Sequence, residues 1–390
     1  MNKRGILAGL LLISISLGAT GCKKENVTGS GKNNNVTIVK DTKDIKATKT
    51  AKVKIDTYEG VSGVKWIDEN NIIISKVNKE LPPIKVDSEK VKADFDVKNL
   101  YLYDLNSKSE KLMGSKSEYI ESGVVSPYQK HIFYTSENKE DGTGYISDTN
   151  GNIITKISDS DIDAYDMKNA NWINDKQIII PCNHIGGFAV INIDGNIEKI
   201  KDVEKTNNEK GIDALSIINP VKVGDKIYYT KIHRGQEEDN KLIVYDIKTK
   251  EKKMVIKDDI LEFKLSNNKD QLVAIVYNSD RNTHELAIMD LEGKNRQILT
   301  EGSIESVSWS KDGSKIAYTS YEEYESGVYI VDTKTKEKEL LTEGNGYYNF
   351  EYSPSCKKLM VNRTIDAEKS SKDKLFPEQI STTNIISLEE

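Results

Sequence analysis

Apolar residues along this chain come in short runs, each bounded by polar turn residues. Runs such as "NIIIS" (71–75), "QIIIP" (177–181) and "LVAIVY" (272–277) lack the alternation of a half-buried strand. They predict strands covered on both faces. A second pattern, in "NLYLYDLNSKSEKL", "KLIVYDIKTKEKKMV" and "GVYIVDTKTKEKELLT", reads strand, tight polar turn, strand. Gly or Asn at several such turns suits two-residue hairpins, which need positive φ.

These patterns recur as a sentence. "SWSKDGSKIAYTS" (308–320) aligns with segments whose marker positions are Trp66, Val125, Trp172, Val221, Leu265, Trp309 and Tyr352. The spacings are 59, 47, 49, 44, 44 and 43 residues, with Val221 the loosest alignment. Each copy predicts four short antiparallel strands, and a period of ~40–45 residues marks a β-propeller blade. The fold expected is all-β: a single propeller of seven four-stranded blades, six being the alternative count. The seventh copy stops after its third strand, "TTNIISLEE". Residues 51–60, "AKVKIDTYEG", match the fourth strand of copy six and are expected to complete that last blade. Pairing the two ends closes the ring and removes open edges.

The stretch "SWSKDGSKIAYTS…GVYIVDTKTKEKELLTEG" resembles the TolB-like β-propeller repeat, with its aromatic-Ser-Pro-Asp-Gly turn. "VSPYQKHIFYTS" and "YSPSCKKLMVNR" carry the Ser-Pro pair. The resemblance covers most of residues 51–390 and implies extracytoplasmic binding and scaffolding. The chain departs from TolB in lacking a separate N-terminal domain and in counting seven blades rather than six. The role of TolB in the Tol system therefore does not carry over.

The first residues read as a leader. Lys3 and Arg4 precede an apolar run from Ile6 to Leu17, which closes on Ala19-Thr20-Gly21-Cys22. The run is short for a membrane span. It resembles a bacterial lipoprotein signal, which implies residues 1–21 as signal peptide, Cys22 as the acylated first mature residue, and palmitate-type chains in the membrane. An ordinary secretory signal with an incidental cysteine is the alternative. Residues 22–50 are rich in Lys, Asn, Thr and Gly and cannot bury enough surface to offset ordering. They are expected to form a tether spanning roughly 30 Å. The net charge of −6 becomes −8 once Lys3 and Arg4 are removed, and no basic stripe suggests nucleic acid. The body keeps only Cys182 and Cys356, too few for a disulfide framework.

Candidate chemistry is sparse. No Gly-x-Ser-x-Gly elbow, Walker loop or dinucleotide fingerprint occurs. The markers Trp66, Trp172 and Trp309 suggest a sugar platform, but the same position is filled by Val125, Leu265 and Tyr352, so a structural role between blades is expected. His131, His184, His233 and His284 fall in four different copies and are expected to be spread round the ring. Asp159, Asp161 and Asp163 alternate in "SDSDIDAYD" and could ligate Ca2+, but the stretch lacks the Gly and Glu of an EF-hand. A solvated acidic loop is favoured, and no cofactor is expected. The longest loops between second and third strands lie at 76–98 and 364–383, in blades that closure makes neighbours. Leu81, Pro82, Pro83 and Ile84 in one, with Leu375, Phe376 and Pro377 in the other, form the expected binding rim. The function expected is a monomeric, lipid-anchored binding or scaffold protein on the outer face of the cytoplasmic membrane. Its partner is an envelope protein or wall polymer. The alternative is an envelope lyase, lactonase or hydrolase with its site at the loop-rich mouth.

Overall fold

The computed structural model describes residues 49–87, 92–114, 123–136, 143–205, 214–234, 240–321, 326–366 and 379–388. The expected signal peptide, Cys22 and residues 23–48 of the expected tether lie outside them, as do Leu375, Phe376 and Pro377. No helix among the described residues is long and apolar enough to cross a membrane.

Seven four-stranded antiparallel blades form the propeller. Their innermost strands are Val61–Trp66, Gly123–Val125, Asn171–Asn174, Ala214–Val223, Ile260–Leu265, Ile304–Trp309 and Tyr347–Tyr352. Every marker residue, Val221 included, lies on one of these strands. Six of the seven innermost strands carry a register shift against the second strand, as at Gly63/Lys65 and Tyr348/Phe350. A bulge of this kind sharpens strand twist.

The second strands explain the absence of alternation. Ile72, Ile73 and Ile74 are all buried, as are Ile178, Ile179 and Ile180. Each blade is sandwiched between two others, so both faces of the strand meet apolar neighbours. One core cluster joins Val273, Ile275 and Leu286 of blade five to Val307, Ile316 and Tyr318 of blade six. Burying one such side chain contributes about 1.5–3 kcal/mol.

Ring closure follows the sequence reading. Lys54–Glu59 pairs antiparallel with Gln379–Ser387, placing Ile55 opposite Ile386 and Tyr58 opposite Thr383. The seam between blades seven and one is densely bonded. Asn362 Oδ1 accepts from Gly63 N at 2.8 Å and its Nδ2 donates to Gly63 O at 2.7 Å. A Cβ on Gly63 would stand 2.4 Å from Met360 Sδ, so any larger residue would have to displace that buried side chain. Asn183 holds both backbone atoms of Ile217 in the same way between blades three and four.

Four of the seven turns between first and second strands share one device. Ser126, Ser266, Ser310 and Ser353 follow the marker residue, and each Oγ accepts an amide from the start of the second strand, at 2.8–3.2 Å. Three residues after each serine φ is positive: Gln129 at 54°, Lys269 at 56°, Gly313 at 75° and Cys356 at 62°. Only one of the four is the glycine that this conformation favours.

Three details were not read from the sequence. The blade-one insertion contains a hairpin, Ile84–Asp87 with Lys92–Phe95. A short helix, Ala164–Lys168, follows "SDSDID", started by a capping box between Asp163 and Asp166. Lys49–Thr50, at the end of the expected tether, pairs parallel with Glu339 and Leu340 on the outer edge of blade six.

Candidate functional site

The innermost strands enclose a central cavity of about 920 Å³, lined by residues from all seven blades. Its charge opposes that of the chain. Lys65, Lys98, Lys264, Lys269 and Lys311 line it against Glu262 and Glu351. Glu351 pairs with Lys65 at 2.5 Å and Glu262 with Lys264 at 3.2 Å.

The tryptophans ring the cavity but serve the scaffold. Trp66 Nε1 donates to Glu351 O at 3.0 Å, Trp172 to Val124 O at 2.8 Å and Trp309 to Lys264 O at 3.2 Å. In each case the acceptor immediately precedes the marker residue of the preceding blade. A buried indole N–H needs such a partner. Trp66 is buried, while Trp172 and Trp309 are partly buried and line the cavity.

On the face where second and third strands connect, the described part of the expected rim is apolar. Asn78 is buried; its Oδ1 accepts from Glu80 N at 3.0 Å and its Nδ2 donates to Asn99 Oδ1 at 2.9 Å. This turn presents Leu81 half-buried, with Pro82, Pro83 and Ile84 exposed. Across the seam, Ile365 and Ile380 sit opposite each other on the two strands of the blade-seven hairpin, each 39% exposed. Sequence reading missed this pair because it took 364–383 as loop. The strands run further, Lys358–Asp366 and Gln379–Ser387.

The acidic stretch is not simply solvated. Lys199 Nζ lies 2.7 Å from Asp159 and 2.8 Å from Asp161, and Asp163 caps the helix. Hydrogen bonds from Lys199 and the Asp161 amide outweigh burial and hold the Asp159 carboxyl below its ordinary range. Asp166, 1% exposed, accepts from Asn183 Nδ2 at 2.6 Å. Burial, and then the charge of Asp163, push its carboxyl up to about 6. Among the described residues no three His, Cys, Asp or Glu side chains gather as a metal site. His131 Nδ1 bonds Asp175 O at 2.7 Å and its ring stacks on Trp172, so it joins blades two and three. His184 lies in a 3-10 turn of blade three, His233 on the second strand of blade four, and His284 packs edge-on to Tyr277 in blade five. Cys182 and Cys356 are free thiols, and burial pushes Cys182 up to about 12.

Lys269, from the turn of blade five, is half-buried in the cavity, and its Nζ donates to Ile173 O of blade three at 3.2 Å. Burial, and then the nearby Lys222, hold its ammonium below the usual lysine range.

Residues 193–364 match the family described as Dipeptidyl peptidase IV (DPP IV) N-terminal region. The chain is similar to the Tol-Pal system protein TolB of Coxiella burnetii, 35% identical over 77 residues, covering 18% of each. The Legionella pneumophila protein of that name is 32% identical over 76 residues, 19% of this chain and 18% of the relative. The match therefore spans less than a fifth of these relatives' length. Among solved structures, an oligogalacturonate lyase in complex with manganese superposes with a TM-score of 0.58 at 10% identity, over 88% of this chain and 99% of that one. The β-propeller domain of the Trilobed protease from Pyrococcus furiosus gives 0.52 at 15% identity, over 78% and 91%. Identities this low show shared fold alone. The TolB matches, the Ser-capped turn and the blade repeat agree with the resemblance to the TolB-like β-propeller repeat, here carried by a seven-bladed ring.

Proposed function

We propose that this chain is an extracytoplasmic binding or scaffold protein, anchored by lipid at Cys22, whose rim at blades seven and one docks an envelope protein. The exposed Ile365–Ile380 pair carries this reading. With Pro82, Pro83 and Ile84 from the neighbouring blade, it offers apolar groups on a rigid hairpin stem, where burial against a partner would be favourable. The relatives support it, since their name places them within a multi-protein system. A wall polymer is the second occupant to test, and an envelope enzyme at this mouth is the rival class.

Co-purification from membranes tests the reading. The double variant Ile365→Asp/Ile380→Asp should keep its melting temperature and lose a partner that the parent retains. An unchanged set of co-purifying proteins would sink the rim. Palmitate labelling of the parent, absent in Cys22→Ala, tests the anchor; a parent that takes up no label removes it.

A further inference from the structure

We propose that Asn345 is a site of spontaneous covalent modification, in which its side-chain amide is lost and the residue becomes aspartate or isoaspartate. Asn-Gly occurs twice in the chain, at 150–151 and 345–346. Glycine hinders this reaction least, because it has no side chain to shield its nitrogen. The two copies sit in different settings. Asn150 lies in the tight turn between third and fourth strands of blade two, where Gly151 N donates to Asp148 O at 3.1 Å. Gly195, Gly293 and Gly313 are held in the same way by carbonyls three residues back. Asn345 lies between Lys338–Glu343 and Tyr347–Tyr352, on the connection from blade six to blade seven. It is exposed, and neither its side chain nor Gly346 N–H has a hydrogen-bond partner among the described residues.

The reaction requires the Gly346 nitrogen to lose its proton and attack Asn345 Cγ. The peptide between the two residues is primed for the first event. Arg363 Nε donates to Asn345 O at 2.9 Å, and that oxygen belongs to the same peptide group as the Gly346 nitrogen. The guanidinium is itself held over the Tyr347 ring, 4.8 Å from its centroid. A charged donor on the carbonyl stabilises the anion left when the nitrogen gives its proton to water. The fold also keeps a glycine in second place. Gly346 has φ 81°, and a Cβ there would run into the Thr364 backbone oxygen. Asn345 is therefore always followed by the residue that protects it least.

Water is the only co-reactant. The bond from Gly346 N to Asn345 Cγ forms and the bond from Cγ to the side-chain nitrogen breaks. Ammonia leaves, taking up the proton that the peptide nitrogen released to solvent. Water then opens the cyclic imide at either carbonyl, giving isoaspartate or aspartate. Both products place a new carboxylate near Arg363, and isoaspartate also lengthens the main chain by a methylene. Thr364 N donates to Gly346 O at 2.9 Å, so the change falls at the root of the strand that carries Ile365. The modification is detected without any partner and does not depend on docking at the rim.

The purified protein is incubated at mildly alkaline pH, once folded and once in urea. Peptide mapping by mass spectrometry follows conversion of amide to acid, and isoaspartyl methyltransferase labelling follows isoaspartate. In the folded protein Asn345 should convert at least about tenfold faster than Asn150, whose glycine N–H is bonded. In urea the two rates should converge, because only their settings differ. Arg363→Met should slow Asn345 several-fold and leave Asn150 unchanged, and Arg363→Lys should slow it less. The proposal is overturned if Asn345 keeps its amide in the folded protein, or if Asn150 converts there as fast. An unchanged rate in both Arg363 variants overturns the part given to the guanidinium.

Discussion

Trp172 of blade three donates its indole N–H to the carbonyl of Val124 in blade two at 2.8 Å. Trp309 to Lys264 and Trp66 to Glu351 repeat the relationship in two other blade pairs. The tryptophan at this repeat position of an innermost strand is therefore a bolt to the preceding blade. Trp172→Phe keeps most of the apolar area and loses the bond, which should cost about 1 kcal/mol. Trp172→Ala also leaves a void and should cost about 3–5 kcal/mol. Urea unfolding followed by circular dichroism measures both; equal losses would show that the bond contributes nothing of its own.

Closure makes the ends of the chain interdependent. Removing residues 49–60 exposes the edge of Gln379–Ser387, which now pairs with Lys54–Glu59. An open strand edge invites association. The truncated protein should melt earlier and elute as oligomers in size-exclusion chromatography, whereas a chain starting at residue 48 should behave as the intact one. A monomeric truncation with unchanged melting would contradict the closure argument.

The serine-capped turns give a reciprocal pair of substitutions. Gly313 has φ 75°, and a Cβ there would meet nothing within 4 Å. Gly313→Ala therefore tests conformation alone and should destabilise by about 1 kcal/mol. Gln129, at φ 54° in the equivalent place, is the opposite case. Gln129→Gly should be neutral to stabilising by about 0.5 kcal/mol, relief of strain outweighing the extra freedom of the unfolded chain. Thermal unfolding decides the signs, and a stabilising Gly313→Ala would refute the account.

Asp166 makes stability depend on pH. Its folded carboxyl is pushed up to about 6, mainly by burial, against about 3.9 in an unfolded chain. The native state holds the proton more tightly, so the contribution is fully present below pH ~4 and is lost as pH rises through ~6. The loss is on the order of 3 kcal/mol. Asp166→Asn keeps an acceptor for Asn183 and cannot titrate. The stability of the parent relative to Asp166→Asn should thus fall between pH ~4 and ~6 and then level. A difference that stays constant over that range would show that Asp166 does not titrate as described.

Much of the scaffold was written locally. Strand runs such as "NIIIS" state double burial, and the spacing of Trp172, Val221, Leu265, Trp309 and Tyr352 counts blades, because each unit buries its faces only against a copy of itself. The complement between residues 51–60 and the three-stranded last copy stated the closure. Other features needed the fold. Asp159 and Asp161 look like a free acidic loop until the strand of blade three brings in Lys199 from some 40 positions on. Lys269 reads as an ordinary turn residue until the ring sets it against Ile173, 96 residues away.

The sequence by itself determined the unit and the way its ends meet, and favoured seven copies over six. These follow from periodic burial and turn chemistry within about 45 residues. Only the tertiary structure decided which side chains share the axis, since the ring places residues from every blade around one cavity irrespective of their separation along the chain. The bond from Lys269 to Ile173 across the ring and the exposed isoleucines on the rim are consequences of that arrangement.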